Sequence, residues 1–418
     1  MRVLISTDTY PPDLSGSSFF THRLATGLAA RGHDVHVVCA SDTGPRKEVR
    51  DDDVWLHRLA SVPLLIHPTV RFVPPLGVPR ALRRLVAEVE PDVLHTQDHF
   101  TIGRAAMAAA RRRGIPVVAT NHFMPDNLLP YLPRRLHATI VRIAWSDFRR
   151  VYGLADHVTT PTRAAADLVA KWGFRLGVEP VSCGVDFGRF HPFEQPKVVA
   201  RKELHLPDVP TVAFVGRLDA EKHLDEVIRA LTHVQAQFVL AGSGVRRAEL
   251  EALAERTGVR GRVHFLGYVP DEQLPLVYAA ADVFVMPGTA ELQSIATLEA
   301  MASGLPVVAA DAVALPHLVS PGENGFLFTP GDVAELAGAL SRILDSDQDR
   351  HRMGAASHEI ATWHDAARTV ARFEEIYDSV RACPDTTTDR RQATPPPHLH
   401  RPRSRRAPWP SRSSRAAG

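Results

Sequence analysis

Short runs of apolar and β-branched residues alternate along the chain with segments in which apolar residues recur every three to four positions. This is the pattern of a parallel sheet covered by helices. In the first half the runs fall at 2–7 (RVLIST), 34–39 (DVHVVC), 92–95, 116–120, 157–160 and 179–183, with helical segments at 18–31, 79–90, 101–113 and 162–172. The pattern restarts at 211–216 and continues through 237–242, 262–267, 282–287, 306–310 and 325–328, with helices at 221–231, 245–257, 271–280, 294–303 and 332–345. Two prolines in PFEQPK (192–197) interrupt both periods and predict a linker. The expected fold is α/β: two Rossmann-like, doubly wound parallel-sheet domains, 1–190 and 197–358, facing each other across a cleft. Ligands of such sheets bind outside the carboxyl ends of the strands.

Composition narrows the setting. The 418 residues contain 3 cysteines, Cys39, Cys183 and Cys383, too scattered for a disulfide scaffold or a CxxC zinc module and suited to a reducing compartment. Val3-Leu4-Ile5 is too short for a signal-peptide core, and the longer apolar stretches are interrupted by Asp, Pro or Gly. A cytoplasmic protein is expected. The net charge of +2 hides a basic end: residues 384–418 hold eight Arg and two Asp among Pro, Ser and Thr, the composition of a disordered tail. Its arginines suit anionic lipid or nucleic acid, but a solvated extension is the simpler reading, and no basic, aromatic face elsewhere argues for a nucleic-acid reader. No dedicated protein partner is implied.

Two segments carry candidate chemistry. Gly216-Arg-Leu-Asp-Ala-Glu-Lys222 follows a strand and leads into a helix. Gly216 permits a tight turn, and Arg217 and Lys222 add two cations suited to a diphosphate. Spacing alone is equally compatible with an ordinary helix start whose Arg and Lys are solvated. Further on, Glu291 and Glu299 stand with seven residues between them. If Ser294 caps the helix, Glu291 lies in the loop before it and Glu299 in its second turn, both near a positive helix end where sugar or ribose hydroxyls can donate to them. Two surface glutamates on a helix are the plainer alternative.

Together, GRLDAEK and ELQSIATLEAMASGLPVV resemble glycosyltransferase family 4, the retaining nucleotide-sugar transferases with the two-domain GT-B fold. The resemblance spans Met1 to about Ser379 and leaves out the tail. It implies that Arg217 and Lys222 hold the donor diphosphate and stabilise charge on the departing nucleotide, that Glu299 binds the ribose hydroxyls, and that Glu291 contacts the transferred sugar. It further implies substrate contacts by Gly216, by the backbone around Gln293, Ser294 and Ile295, and by Tyr268 and Val269, where the base is read. The family often has Gly-Phe-Gly before the helix; Gln293 here offers a replacement hydrogen bond to the sugar. In the first, acceptor-side domain, Gly16 and Ser17 fall in the family's substrate loop, where Ser17 or Ser18 is expected to cap the following helix, and His122 matches a histidine beside the transferred sugar. The segment around Trp363, with helical residues 367–380, resembles a terminal helix (359–383) that returns to the first domain. Retention of anomeric configuration follows from the same resemblance; since no carboxylate stands out in the sequence as a covalent nucleophile, departure and attack on one face of the sugar is the expected route.

The chain departs from the family at Cys183, where Asn is common and a packed small residue is expected, and at Ala312–His317, which replaces a Gly-Gly-x-Pro-Glu pattern near the donor pocket. Other constellations fail: there is no P-loop, Gly242-Ser-Gly244 lacks a third glycine, RKEVRDDD (46–53) reads as a solvated loop despite its DxD, and His95–His99 lacks the glutamate of a zinc helix. No essential metal and no cofactor beyond the donor are expected. For the acceptor, the basic amphipathic segment 131–152 suits an anionic membrane surface as well as packing on the first sheet. Residues 121–129, with the ELQS variant, look most like the diacylglycerol-glycosylating branch. A membrane lipid is the first expectation and peripheral attachment at the inner face goes with it. A soluble acceptor (cyclitol phosphate or natural-product aglycone), a GT-B epimerase or phosphorylase, and a non-catalytic nucleotide-binding module are the alternatives.

Overall fold

The computed structural model describes residues 1–382 apart from 14, 65–66, 125–132 and 175–176; the expected basic tail, parts of 121–129 and the start of 131–152 lie outside the described residues. In chain order the first-half strands are β1 (Arg2–Ser6), β2 (Asp34–Ala40), β3 (Lys47–Asp51), β4 (Val54–Leu59), β5 (Val62–Leu64), β6 (His67–Phe72), β7 (Val93–Thr96), β8 (Val117–Thr120), β9 (His157–Thr160) and β10 (Val178–Pro180). Eight of them form one sheet in the order β10-β9-β8-β7-β1-β2-β4-β3, and β5 pairs with β6 as a separate antiparallel hairpin. The second half contributes β11 (Thr211–Val215), β12 (Gln237–Ala241), β13 (Val263–Gly267), β14 (Val283–Met286), β15 (Val307–Ala310) and β16 (Gly325–Phe328), all parallel, in the order β13-β12-β11-β14-β15-β16. Both sheets are doubly wound, as the alternating pattern predicts.

One segment contradicts its sequence reading, and its partner β4 does not stand out in the pattern at all. Lys47–Asp51, expected to be solvated loop, is an antiparallel edge strand running from Lys47 opposite Arg58 to Asp51 opposite Val54. Its side chains face mostly water, so no apolar alternation marks it. The tight turn back to β4 uses Asp52 and Asp53, both in left-handed conformations that Asp tolerates well.

Each sheet is buried on both faces, which is why its strands read as continuous apolar runs. Helix Ala366–Ala382 lays Val370, Phe373, Ile376 and Tyr377 against Val3, Ile5 and Leu24 of the first half. At about 1.5–3 kcal/mol for each large apolar side chain fully buried, this contact ties the end of the described chain to the first sheet. Helix His137–Tyr152 buries Trp145, Phe148, Val151 and Tyr152 in the first core, while Ile143 remains 62% exposed between surface arginines Arg142 and Arg149. Among the described residues, no helix is long and apolar enough to cross a membrane.

The winding direction of the sheets reverses between β1 and β7 in the first and between β11 and β14 in the second. Chains leaving a sheet at such a point diverge and open a crevice. Both crevices look onto one cavity.

Candidate active site

In the second half, β11 ends at Val215 and the chain turns through Gly216, whose φ of +148° is a conformation that favours glycine. The loop that follows and the 3-10 turn Ala220–Lys222 set the two expected cations, Arg217 and Lys222, on the cavity wall. Arg217 is held by its own loop: Nη1 lies 3.2 Å from Asp219 Oδ2, and Nη2 donates to Glu221 Oε1 at 3.1 Å. Lys222 Nζ donates to Glu291 Oε1, so the expected phosphate cation and the expected sugar carboxylate touch each other.

Helix Ile295–Ala302 begins as the capping argument requires. Ser294 is its N-cap, and its hydroxyl accepts from Thr297 N at 3.3 Å. Glu291 therefore lies in the loop and Glu299 in the helix. The Glu299 side chain is only 5% exposed, yet it borders the cavity. Oε2 accepts from the Tyr278 hydroxyl at 2.8 Å, and Oε1 accepts from Arg23 Nη2, which reaches across from helix Gly16–Ala30 of the first half. Gln293 also reaches across: its Oε1 accepts from Cys183 N at 2.6 Å, and Ser182 Oγ lies within hydrogen-bond distance of both ends of its amide. Its carboxamide thus joins the two halves. Cys183 is buried, and burial pushes its thiol up to about 12, the state of a packed residue rather than a nucleophile.

From the first half, Gly16 opens its helix against Ile295, whose Cδ1 lies 3.8 Å from where a Gly16 Cβ would stand. The helix cap is Ser15, whose hydroxyl accepts from Ser18 N; the expected caps Ser17 and Ser18 sit two and three residues further in, within the first turn, because Gly16 is already helical. Ser17 Oγ lies 3.1 Å from Thr9 Oγ1. His122, just past β8, lines the cavity and rests against the Phe20 ring at 4.8 Å. Its Nε2 donates to Gln97 Oε1 at 2.9 Å, leaving Nδ1 as an acceptor. Deeper in, His95 bridges the Tyr377 hydroxyl and Thr120 Oγ1, each at 2.7 Å. Asp8 lies against Asp98; burial first, and then Asp98, push its carboxyl well above the usual range.

Burial lowers the His122 imidazole to about 3 and holds His95 well below the usual histidine range, so both are neutral in the fold. An unfolded histidine protonates near pH 6.5. At these two sites the folded chain binds fewer protons below that pH, so their contribution to stability is complete above about pH 6.5 and declines as pH falls towards the folded values. The expected loss is about 1.4 kcal/mol per pH unit for each histidine. Urea unfolding at about pH 7.5 and about pH 5 checks this: the midpoint should fall with pH, with a shallower slope in His122→Asn. A flat wild-type midpoint overturns it.

The cavity measures about 650 Å³, a size suited to a nucleotide-linked ligand. It brings together Gly16, Ser17, His122, Gly216, Arg217, Lys222, Glu291, Gln293, Ser294, Ile295 and Glu299. It does not include Tyr268, Val269 or His317. Tyr268 is 58% exposed at the end of β13, and His317 faces outward on the 3-10 turn Leu315–His317. Sequence reading missed Arg23, Asp8, Arg71 and the aromatic side chains Phe19, Phe72, Phe100 and Phe123 on the first-half wall. Arg23 sits in a helix that otherwise reads as a packing element, and nothing in its spacing singles it out. Among the described residues, no three His, Cys, Asp or Glu side chains are grouped to hold a metal ion.

Residues 14–189 match the family described as Glycosyltransferase Family 4, and residues 198–359 match Glycosyl transferases group 1. The chain is 35% identical over 340 residues to a GDP-mannose-dependent alpha-mannosyltransferase of Mycobacterium tuberculosis, spanning 79% of this chain and 85% of that one. It is 27% identical over 378 residues to the alpha-monoglucosyldiacylglycerol synthase of Streptococcus pneumoniae, spanning 86% and 82%. Its fold superposes on sucrose-phosphate synthase from Thermosynechococcus elongatus with a TM-score of 0.77 at 22% identity, covering 91% of this chain and 99% of that one. With two doubly wound sheets meeting at a cavity lined by both halves, and with these matches running through both, the chain belongs to the family 4, group 1 nucleotide-sugar glycosyltransferases of GT-B fold.

Proposed function

We propose that this glycosyltransferase moves a hexosyl group, with retention, from UDP- or GDP-hexose to the hydroxyl of a membrane lipid such as diacylglycerol. The observation that carries the reading is the convergence of Arg217, Lys222, Glu291 and Glu299 on one cavity between the two sheet crevices. In this reading Arg217 and Lys222 take the diphosphate and stabilise the charge that grows on the leaving nucleotide, without need of a metal. Glu299 accepts the ribose hydroxyls, and Glu291 accepts from the sugar once the phosphate draws Lys222 away from it. His122, neutral and presenting Nδ1 as an acceptor, positions a sugar hydroxyl; its depressed basicity suits positioning better than proton removal.

Two observations support the lipid acceptor. The cavity's first-half wall carries Phe72 and Phe100, both partly exposed, beside Phe19 and Phe123, an apolar approach suited to acyl chains. The pneumococcal relative is, by its name, a synthase of a glucosyldiacylglycerol. Peripheral attachment goes with that acceptor, with Ile143 and the neighbouring arginines of helix His137–Tyr152 facing outward.

The test follows nucleotide release from a panel of UDP- and GDP-hexoses, with and without anionic vesicles containing diacylglycerol. Release stimulated by the vesicles, with a glycolipid product, is the expected result and identifies the donor. Donor hydrolysis indifferent to vesicles moves the acceptor to a soluble hydroxyl compound. Donor turnover to an isomeric nucleotide sugar, or turnover dependent on inorganic phosphate, replaces transfer by epimerase or phosphorylase chemistry.

A further inference from the structure

Arg23 belongs to the first half, but its guanidinium ends in the second. Nη2 donates to Glu299 Oε1, the guanidinium carbon stands 5.8 Å from the Phe190 ring centre, and Nη1 is buried without a hydrogen-bond partner among the described residues. The Arg23 side chain is 14% exposed, and what is exposed faces the cavity that Glu299 also borders. A buried N–H of a guanidinium left unpaired is costly, and in native proteins such groups call for a partner.

The carboxylate beside it has capacity to spare. An ionised carboxylate offers about four acceptor positions. Glu299 has one taken on each oxygen, by Arg23 and by Tyr278. A vicinal diol entering the cavity there can donate one hydroxyl to each oxygen, and a small turn of the guanidinium that brings the buried Nη1 to the cavity wall lets the same hydroxyls accept from it. Donor and acceptor needs then balance on all three groups.

We propose that Arg23 is a second ribose-binding residue, supplied from the opposite half of the molecule, which orients the Glu299 carboxylate and completes recognition of the nucleotide's vicinal diol. This rests on the reading that Glu299 takes the ribose hydroxyls. Ribose recognition is then assembled from both sheets at once, so donor affinity depends on the two halves being closed on each other. Among the described residues, the second half alone presents a carboxylate whose hydrogen-bond partner is Tyr278.

The experiment measures binding of UDP and GDP, and of their 2′,3′-dideoxy counterparts, to the full chain by calorimetry. It uses wild type, Arg23→Leu, the milder Arg23→Gln, and Glu299→Ala. In wild type, loss of the diol should weaken binding by about 10–100-fold, the worth of one to two charge-assisted hydrogen bonds. In both Arg23 variants the ribonucleotide should bind at least about tenfold more weakly, and the dideoxy penalty should shrink to about threefold or less. A merely structural role for Arg23 would weaken ribo- and dideoxynucleotides equally and leave the penalty intact, which overturns the proposal, as does tighter ribonucleotide binding in either variant, the mark of an arginine that competes with the ribose. Glu299→Ala separates the two readings. If it abolishes the penalty while the Arg23 variants keep it, Glu299 stands and Arg23 falls; if it keeps the penalty, the ribose reading of Glu299 falls and takes the proposal with it.

Discussion

Replacing Lys222 by Ala should lower turnover by about 10²–10³-fold, because a cation placed where charge develops on a leaving group acts in the transition state more than in the ground state. The ion pair with Glu291 sharpens the expectation. Both side chains are largely withdrawn from water, at 17% and 12% exposure. Removing the lysine leaves an unpaired carboxylate facing the place proposed for a diphosphate, so donor binding should suffer along with turnover. Lys222→Ala combined with Glu291→Gln removes that repulsion. The double variant should recover donor affinity and leave turnover low, whereas Lys222→Arg should recover part of both. Initial rates of nucleotide release across donor concentration separate the two effects. Wild-type turnover in Lys222→Ala would remove the lysine from the leaving-group role.

What the sequence showed and what it hid follow from the physics of burial. Strands buried on both faces mostly write themselves as apolar runs, and all twelve runs picked from the pattern coincide with strands of the two sheets to within a few residues; buried β4, whose run is broken by His57 and Arg58, is an exception. Edge elements write nothing comparable. β3 is KEVRD, four of its five side chains exposed, and it is held by pairing with β4 through backbone groups that composition does not display. Helix Asp347–Ala361 escaped for a related reason: its buried positions are Met353, Gly354, Ser357 and Ala361, mostly small residues that carry almost no hydrophobic signal. In the cavity, the groups on the second-half wall were legible because they crowd into two short segments, each following a strand end. Arg23 was not, because its importance comes from the position of Glu299, 276 residues further along the chain. Gln293 was legible as a polar side chain near the site, but its attachment to Cys183 and Ser182 depends on how the halves meet.

The same dependence on close approach makes Gly242 the most sensitive position beside the site. It follows β12 with φ +141°, and a Cβ built there would stand 1.9 Å from the carbonyl oxygen of Gly216. The two glycines hold two strand-end loops together: Gly216 N donates to Ala241 O at 3.0 Å, and Leu218 N to Ser243 O at 2.9 Å. Neither loop can yield alone, since β11 and β12 are paired in register up to Val215 and Ala241. Gly242→Ala must therefore move the Gly216 carbonyl, and Arg217 with it. Strain in the left-handed region and overpacking against backbone together should cost about 2–6 kcal/mol, lowering the melting temperature by roughly 5–20 °C for a domain of this size. Nucleotide affinity should fall by more than about tenfold in whatever fraction remains folded, because the displaced loop carries a diphosphate cation. Gly338→Ala is the counterpart: a Cβ there meets nothing within 4 Å and the residue lies inside helix Val333–Leu344, so it should be neutral or stabilising by up to about 1 kcal/mol. Thermal unfolding of the two variants, with nucleotide binding measured below the transition, decides the matter. A Gly242→Ala protein that melts with wild type and binds nucleotide as tightly would mean that the two loops are free to separate, and the diphosphate site would then lack the rigid footing that leaving-group stabilisation requires.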